Sequence, residues 1–221
     1  MMRPAPSESL KQRVLLAVQC NPVPSRATEQ ARSVCLIAGA CLGTAAIFTA
    51  AGGIRETGRS PALWLGTVLG SLLIAVVGQV LLLERKRTML GWPRAWLVVA
   101  AVVLPLALLT WKVLYSSQFP HALDPWVTRA GYRCLGLSLA LGVLPLGALL
   151  YSRRGTDPTH PGTAGMALGV SVGLAVAVLG DLWCPVAYVP HLLLGHLLPI
   201  VLFATLGVLL GSKWLQVMRL R

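Results

Sequence analysis

The sequence predicts an all-α polytopic membrane protein, a six-helix transmembrane bundle with a short cytoplasmic amphipathic helix ahead of it. Of its 221 residues, 56% are hydrophobic and only 12% are charged, whereas a soluble domain is about 45–50% apolar. Mean hydropathy is +0.73. The apolar residues gather into six runs, each near the roughly 20 residues that cross a bilayer core of about 30 Å. The net charge of +12 is spread over short segments between these runs, a pattern of membrane topology rather than of nucleic-acid binding.

Residues 1–33 form the first segment, polar, basic and too long ahead of the first apolar run for a signal peptide. Ser9 followed by Gln12 reads as a capping box. Leu10, Val14, Ala17 and Val18 then recur on one helical face. A helix is expected from Leu10 to Cys20, ended by Asn21-Pro22-Val23-Pro24 because proline cannot continue it. Such a helix lies on lipid, with Lys11 and Arg13 towards phosphates, or docks a soluble partner through Leu10, Val14, Leu15 and Val18.

The six spans are placed at Val34–Ile54, Ala62–Leu83, Pro93–Tyr115, Gly131–Tyr151, Thr163–Trp183 and His191–Lys213. Residues 34–213 thus make the bundle, and residues 214–221 a short C-terminal tail. With the N-terminus inside, only Arg55, Arg59, Lys112, Arg129 and Arg133 of the 19 lysines and arginines fall outside. The positive-inside rule then puts both termini in the cytoplasm. Glycines repeat at four-residue spacing (Gly39 and Gly43, Gly66 and Gly70, Gly165 with Gly169 and Gly173, Gly207 and Gly211), which lets neighbouring backbones approach. Pro105, Pro145 and Pro199 should kink their helices.

No Asp, Glu, Lys, Arg or His lies near the middle of a span; Lys112, Arg133, Asp181 and His191 lie towards ends. Ion-coupled transporters and intramembrane hydrolases need ionisable groups at depth. Gln79, the strongest polar group within a span, is expected to make an interhelical hydrogen bond. With no nucleophile and base pair in view, no enzyme and no cofactor are expected.

The rarest chemistry of the chain collects in Asp181-Leu182-Trp183-Cys184-Pro185 and in His191-Leu-Leu-Leu-Gly195-His196-Leu-Leu-Pro199. Topology brings Cys134, at the outer end of the fourth span, to the level of Cys184. The two thiols are packing residues, a redox pair, or ligands for a soft metal such as zinc with His191 or His196. A regular helix turns residues five apart about 140° away from each other, so the two histidines are not expected to face one ion.

Six spans, the tail Ser9-Leu-Lys-Gln-Arg-Val-Leu15, a cysteine opening the fourth span, and Trp183-Cys184-Pro185 followed by His191-Leu-Leu-Leu-Gly-His196 together resemble the NrsF family of bacterial membrane anti-sigma factors. The resemblance implies that the tail holds an extracytoplasmic-function (ECF) sigma factor at the inner membrane and represses its regulon. It also implies that Cys134 and Cys184 take part in sensing. The length and character further resemble a negative regulator of light-induced carotenoid synthesis, so light or singlet oxygen joins oxidant and metal as an expected signal. The alternative is a small metal or solute permease using the outer Cys and His cluster. No direct nucleic-acid binding is expected, and lipid is the other partner.

Overall fold

The computed structural model describes residues 12, 26–55, 60–83, 93–125, 130–155, 160–184 and 186–216. The chain separates into two compact units, Met1–Cys35 and Leu36–Arg221. In the first, Gln12 is helical and exposed. The rest of the expected helix Leu10–Cys20, with Leu10, Val14, Leu15 and Val18, lies outside the described residues. So do the loop Trp126 and the C-terminal tail beyond Gln216.

Every regular element among the described residues is helical, and six helical runs are long and apolar enough to cross a membrane. They are α1 (Arg26–Ala50), α2 (Pro61–Leu83), α3 (Arg94–Ser116), α4 (Tyr132–Ser152), α5 (Pro161–Trp183) and α6 (Val189–Trp214). Prolines open α2 and α5, where the missing N–H has no intrahelical acceptor to lose. Helix α1 begins well before the expected Val34. Ala27, Gln30 and Ala31 are good helix formers, and Glu29 sits in the favourable first turn.

Helix α5 is the axis of the bundle. It packs on α2, α3, α4 and, most extensively, α6. Within the most apolar stretch of each helix, 61% of α5 is buried but only 11% of α1. The reason is in the sequence: the glycine stripe removes side chains where α5 meets α6. Gly165 lies against Gly207 and Gly211, and Gly169 against the Phe203 backbone. The glycines of α2 serve differently, as Gly66 and Gly70 receive the Tyr115 and Trp111 rings of α3. Gly39 faces open space, so its expected packing role is not found.

Two apolar clusters fill the bundle around α5. One joins Ala75, Leu104, Leu108, Leu174 and Ile200; the other joins Phe48, Leu141, Leu150, Leu168 and Phe203. Gln79 makes the expected interhelical bond, its Nε2 donating to Ser171 O at 2.8 Å. From Leu36 onwards α1 is peripheral. An apolar cavity of about 600 Å³ separates it from α2 over α4 and α5. Thr44 Oγ1 donates to Leu141 O of α4 at 3.1 Å. At its C-terminal end α1 is tied to α5: Trp183 Nε1 donates to Ala51 O at 3.0 Å and Arg55 N to Leu182 O at 3.3 Å. The Arg55 guanidinium stacks 4.2 Å over the Trp183 ring.

Candidate functional site

Cys134 opens α4 and Cys184 closes α5, so the antiparallel run of these helices brings both thiols to one end of the bundle. The start of α6 adds His191 and His196. One ligand atom from each of Cys134, Cys184, His191 and His196 lies within 4.8 Å of all the others, and all four residues are buried. Both cysteines are in the reduced, thiol state. Cys184 Sγ is 3.1 Å from His191 Nε2. A hydrogen bond from Cys134 holds the Cys184 thiol well below its usual range, with His191 and His196 adding to the effect and burial opposing it.

The two histidines face each other, contrary to the expectation from regular helix geometry. Their ring centroids are 5.7 Å apart. The cause is a π-helical turn at Leu193–Leu197, in which Leu198 N–H bonds to Leu193 O, an i→i+5 closure. Such a turn places residue i+5 above residue i, as an α-turn places residue i+4. Pro199 explains it: lacking an N–H, it cannot donate to Gly195 O. That carbonyl accepts from Ser138 Oγ of α4 instead, at 3.4 Å. The proline was legible in the sequence as a kink; its effect on the histidines was not.

Close approach of α4 needs two glycines. Gly131 caps α4 with φ 96°, a left-handed conformation costly for other residues. A Cβ there would lie 3.3 Å from Gly195 N and His191 O. A Cβ on Gly195 would lie 2.9 Å from the Cys134 Cβ. The absence of both side chains lets Cys134 reach the π-turn.

Behind His196 lies a buried ion pair that sequence reasoning treated as two separate span-end residues. Lys112 Nζ of α3 is 2.7 Å from Asp181 Oδ1 of α5, and both side chains are almost fully buried. Removing one partner of a buried pair costs about 3–5 kcal/mol, because the other charge is left uncompensated. Lys112→Met is therefore expected to lower thermal stability in detergent strongly, and Lys112→Met with Asp181→Leu to recover most of the loss. A double variant as unstable as the single one would show that the pair is not the source.

Cys134, Cys184 and His191 also line an open vestibule of about 370 Å³, whose walls include Arg55, Gly131, Tyr132, Arg133 and Trp183. The set of two sulfur and two imidazole ligands suits a tetrahedral soft or borderline metal such as zinc or a monovalent copper-group ion. The two thiols alone suit reversible oxidation. The remaining candidates, Leu10, Val14, Leu15 and Val18, lie outside the described residues.

The family described as negative regulator of sigma F, NrsF, matches residues 16–216. A relative, the anti-sigma-F factor NrsF of Caulobacter vibrioides (strain NA1000 / CB15N), is 29% identical over 199 residues. The match covers 86% of this chain and 92% of that protein. No solved structure matches. With a match running from the middle of the N-terminal segment to just past the end of α6, the chain belongs to the NrsF family of negative regulators of sigma F.

Proposed function

We propose that this protein is a multi-pass inner-membrane anti-sigma factor with both termini in the cytoplasm. Its N-terminal segment holds an ECF sigma factor at the membrane until the Cys134, Cys184, His191 and His196 cluster meets a soft metal or an oxidant. The observation that carries this reading is the attachment of α1 to the cluster. Trp183, next to Cys184 in sequence, donates to Ala51 O, and Arg55 grips both Leu182 O and the Trp183 ring. The helix that leads from the N-terminal segment is thus fastened beside the thiols, and between Ile37 and Thr49 it stands off from α2 across the apolar cavity.

Either signal acts on that attachment. A metal bound by both thiolates and both imidazoles draws the ends of α4, α5 and α6 together. An oxidant that takes two electrons from the Cys184 thiolate and the Cys134 thiol, with the Cys134 proton, joins the ends of α4 and α5 through a disulfide, whose sulfurs must close to about 2.0 Å. In both cases Cys184 moves and Trp183 moves with it. A coupling of about 1–3 kcal/mol between the two arrangements changes partner release roughly 5–150-fold. Light and carotenoid control rest on the likeness in length and character alone. A permease would need a continuous polar path through the bundle, whereas beyond the paired Lys112 and Asp181 the interior around α5 is filled mainly by the two apolar clusters.

The docking reading is tested on the segment itself. Leu10, Val14 and Val18 changed together to Asp put charge into the expected contact face and should cut sigma-factor co-purification at least about 100-fold. Truncating even a few hot-spot residues costs 2 kcal/mol or more each. Membrane insertion should be unchanged. A sigma factor that stays bound to this variant would move the docking site to the inner loops.

A further inference from the structure

The cluster offers a cation two sulfur and two imidazole ligand atoms, yet its mouth is positively charged. Among the described residues Arg55 and Arg133 line the vestibule, and no Asp or Glu does. Arg55 is fixed there, its Nη2 donating to Ala51 O at 3.0 Å and its guanidinium stacked on Trp183. Arg133 lies exposed in the first turn of α4, beside Cys134. The only other charged pair near the cluster among the described residues, Lys112 with Asp181, cancels itself. Even with Cys184 ionised, the described wall keeps a net positive charge. Clefts lined by one sign of charge with low-dielectric walls concentrate ligands of the opposite sign and raise their arrival rates by about 10–1,000-fold.

We propose that the vestibule is an anion-selecting entrance, so that the soft metal reaches Cys134 and Cys184 as a small anionic bis-thiolate complex rather than as a bare cation. Delivery is ligand exchange. Two metal–sulfur bonds to the carrier break as bonds to Cys134 and Cys184 form. One departing carrier thiolate takes the Cys134 proton, the other leaves as the anion, and no electron changes hands. His191 and His196 complete the set with their lone pairs. The identity of the cargo rests on the signal-site reading above; the charge selection of the entrance does not.

The selection is measured without any metal. In full-length protein with Cys20, Cys35 and Cys41 changed to Ser, the remaining thiols are reacted with two methanethiosulfonates of similar size, one bearing a sulfonate and one a trimethylammonium group. The thiolate attacks the reagent sulfur, forming a mixed disulfide and releasing methanesulfinate. Normalised to a free thiol in solution, the anionic reagent should react about 10-fold faster than the cationic one. Arg133→Glu should bring the ratio to unity or below. Raising salt to 1 M, where the screening length falls to about 3 Å, should do so in the unmodified background. A cationic reagent that reacts as fast, a ratio insensitive to both Arg133→Glu and salt, or thiols that neither reagent reaches would overturn the proposal. If the ratio behaves as expected but a purified anionic copper(I)–thiolate complex fails to load the protein, the entrance stands and the metal reading falls.

Discussion

Changing Cys134 and Cys184 together to serine is expected to leave the bundle folded and to abolish binding at the cluster. Both side chains are buried and Ser differs from Cys chiefly in its harder, less acidic oxygen, so the helices keep their contacts while the soft ligands are lost. Changes to residues that merely orient metal ligands cost about 10–100-fold in affinity. Loss of two direct ligands should therefore exceed 100-fold, read by competition with a chelator for zinc or copper(I). The single variants should each lose most of the affinity, since neither leaves a four-ligand set. Sigma-factor release under metal and oxidant should disappear in parallel. Retained release under both signals in the double variant would reduce the two thiols to packing residues.

The second large effect concerns the α5–α6 seam. A Cβ on Gly169 would stand 2.0 Å from Phe203 O and 2.5 Å from its carbonyl carbon, and one on Gly165 would stand 2.0 Å from Gly207 O. These neighbours are backbone, so no rotamer change relieves the clash and the helices must separate. Overpacking against side chains typically costs 1–3 kcal/mol; here about 3 kcal/mol or more is expected for Gly169→Ala. Thermal unfolding in detergent measures it, and Gly39→Ala is the internal control. Nothing lies within 4 Å of the Gly39 position, so that change should be neutral or slightly stabilising through helix propensity. Equal stability of the two alanine variants would mean that the seam is looser than described.

Hydropathy was enough to find the six helices. The expected Ala62–Leu83 and Gly131–Tyr151 differ by a residue from α2 and α4, because an apolar run bounded by proline or glycine and charge leaves little freedom at its ends. The start of α1 was missed because helix and apolar run are different things: a polar stretch rich in Ala, Glu and Gln continues the helix without continuing the oil. Cys134 and Cys184 could be brought to one level from topology alone. The histidines could not, since counting 100° per residue assumes a uniform helix and Pro199 makes this one non-uniform. The Lys112–Asp181 pair was hidden for another reason. Charged residues at span ends are ordinary interfacial residues until packing shows which ends meet. The tie between Trp183 and Ala51 left no signal, because its acceptor is a backbone carbonyl that any residue supplies.

The wide turn in α6 has a mechanical consequence. Above it, His191 addresses Cys184; below it, Phe203, Gly207 and Gly211 mesh with Gly165 and Gly169. In an unbroken α-helix both sets would share one angular phase, which each added residue advances by about 100°. The five-residue turn absorbs one residue of that advance, so the ligand-bearing half and the meshing half are indexed separately. Tightening the turn to α geometry while the lower mesh stays clamped would swing His191 by about 100° out of line with Cys184. In the proposed signal state an ion held by both imidazoles would oppose that rotation, so that the lower half of α6 would stay locked in the bundle while the upper half is set by what the cluster holds.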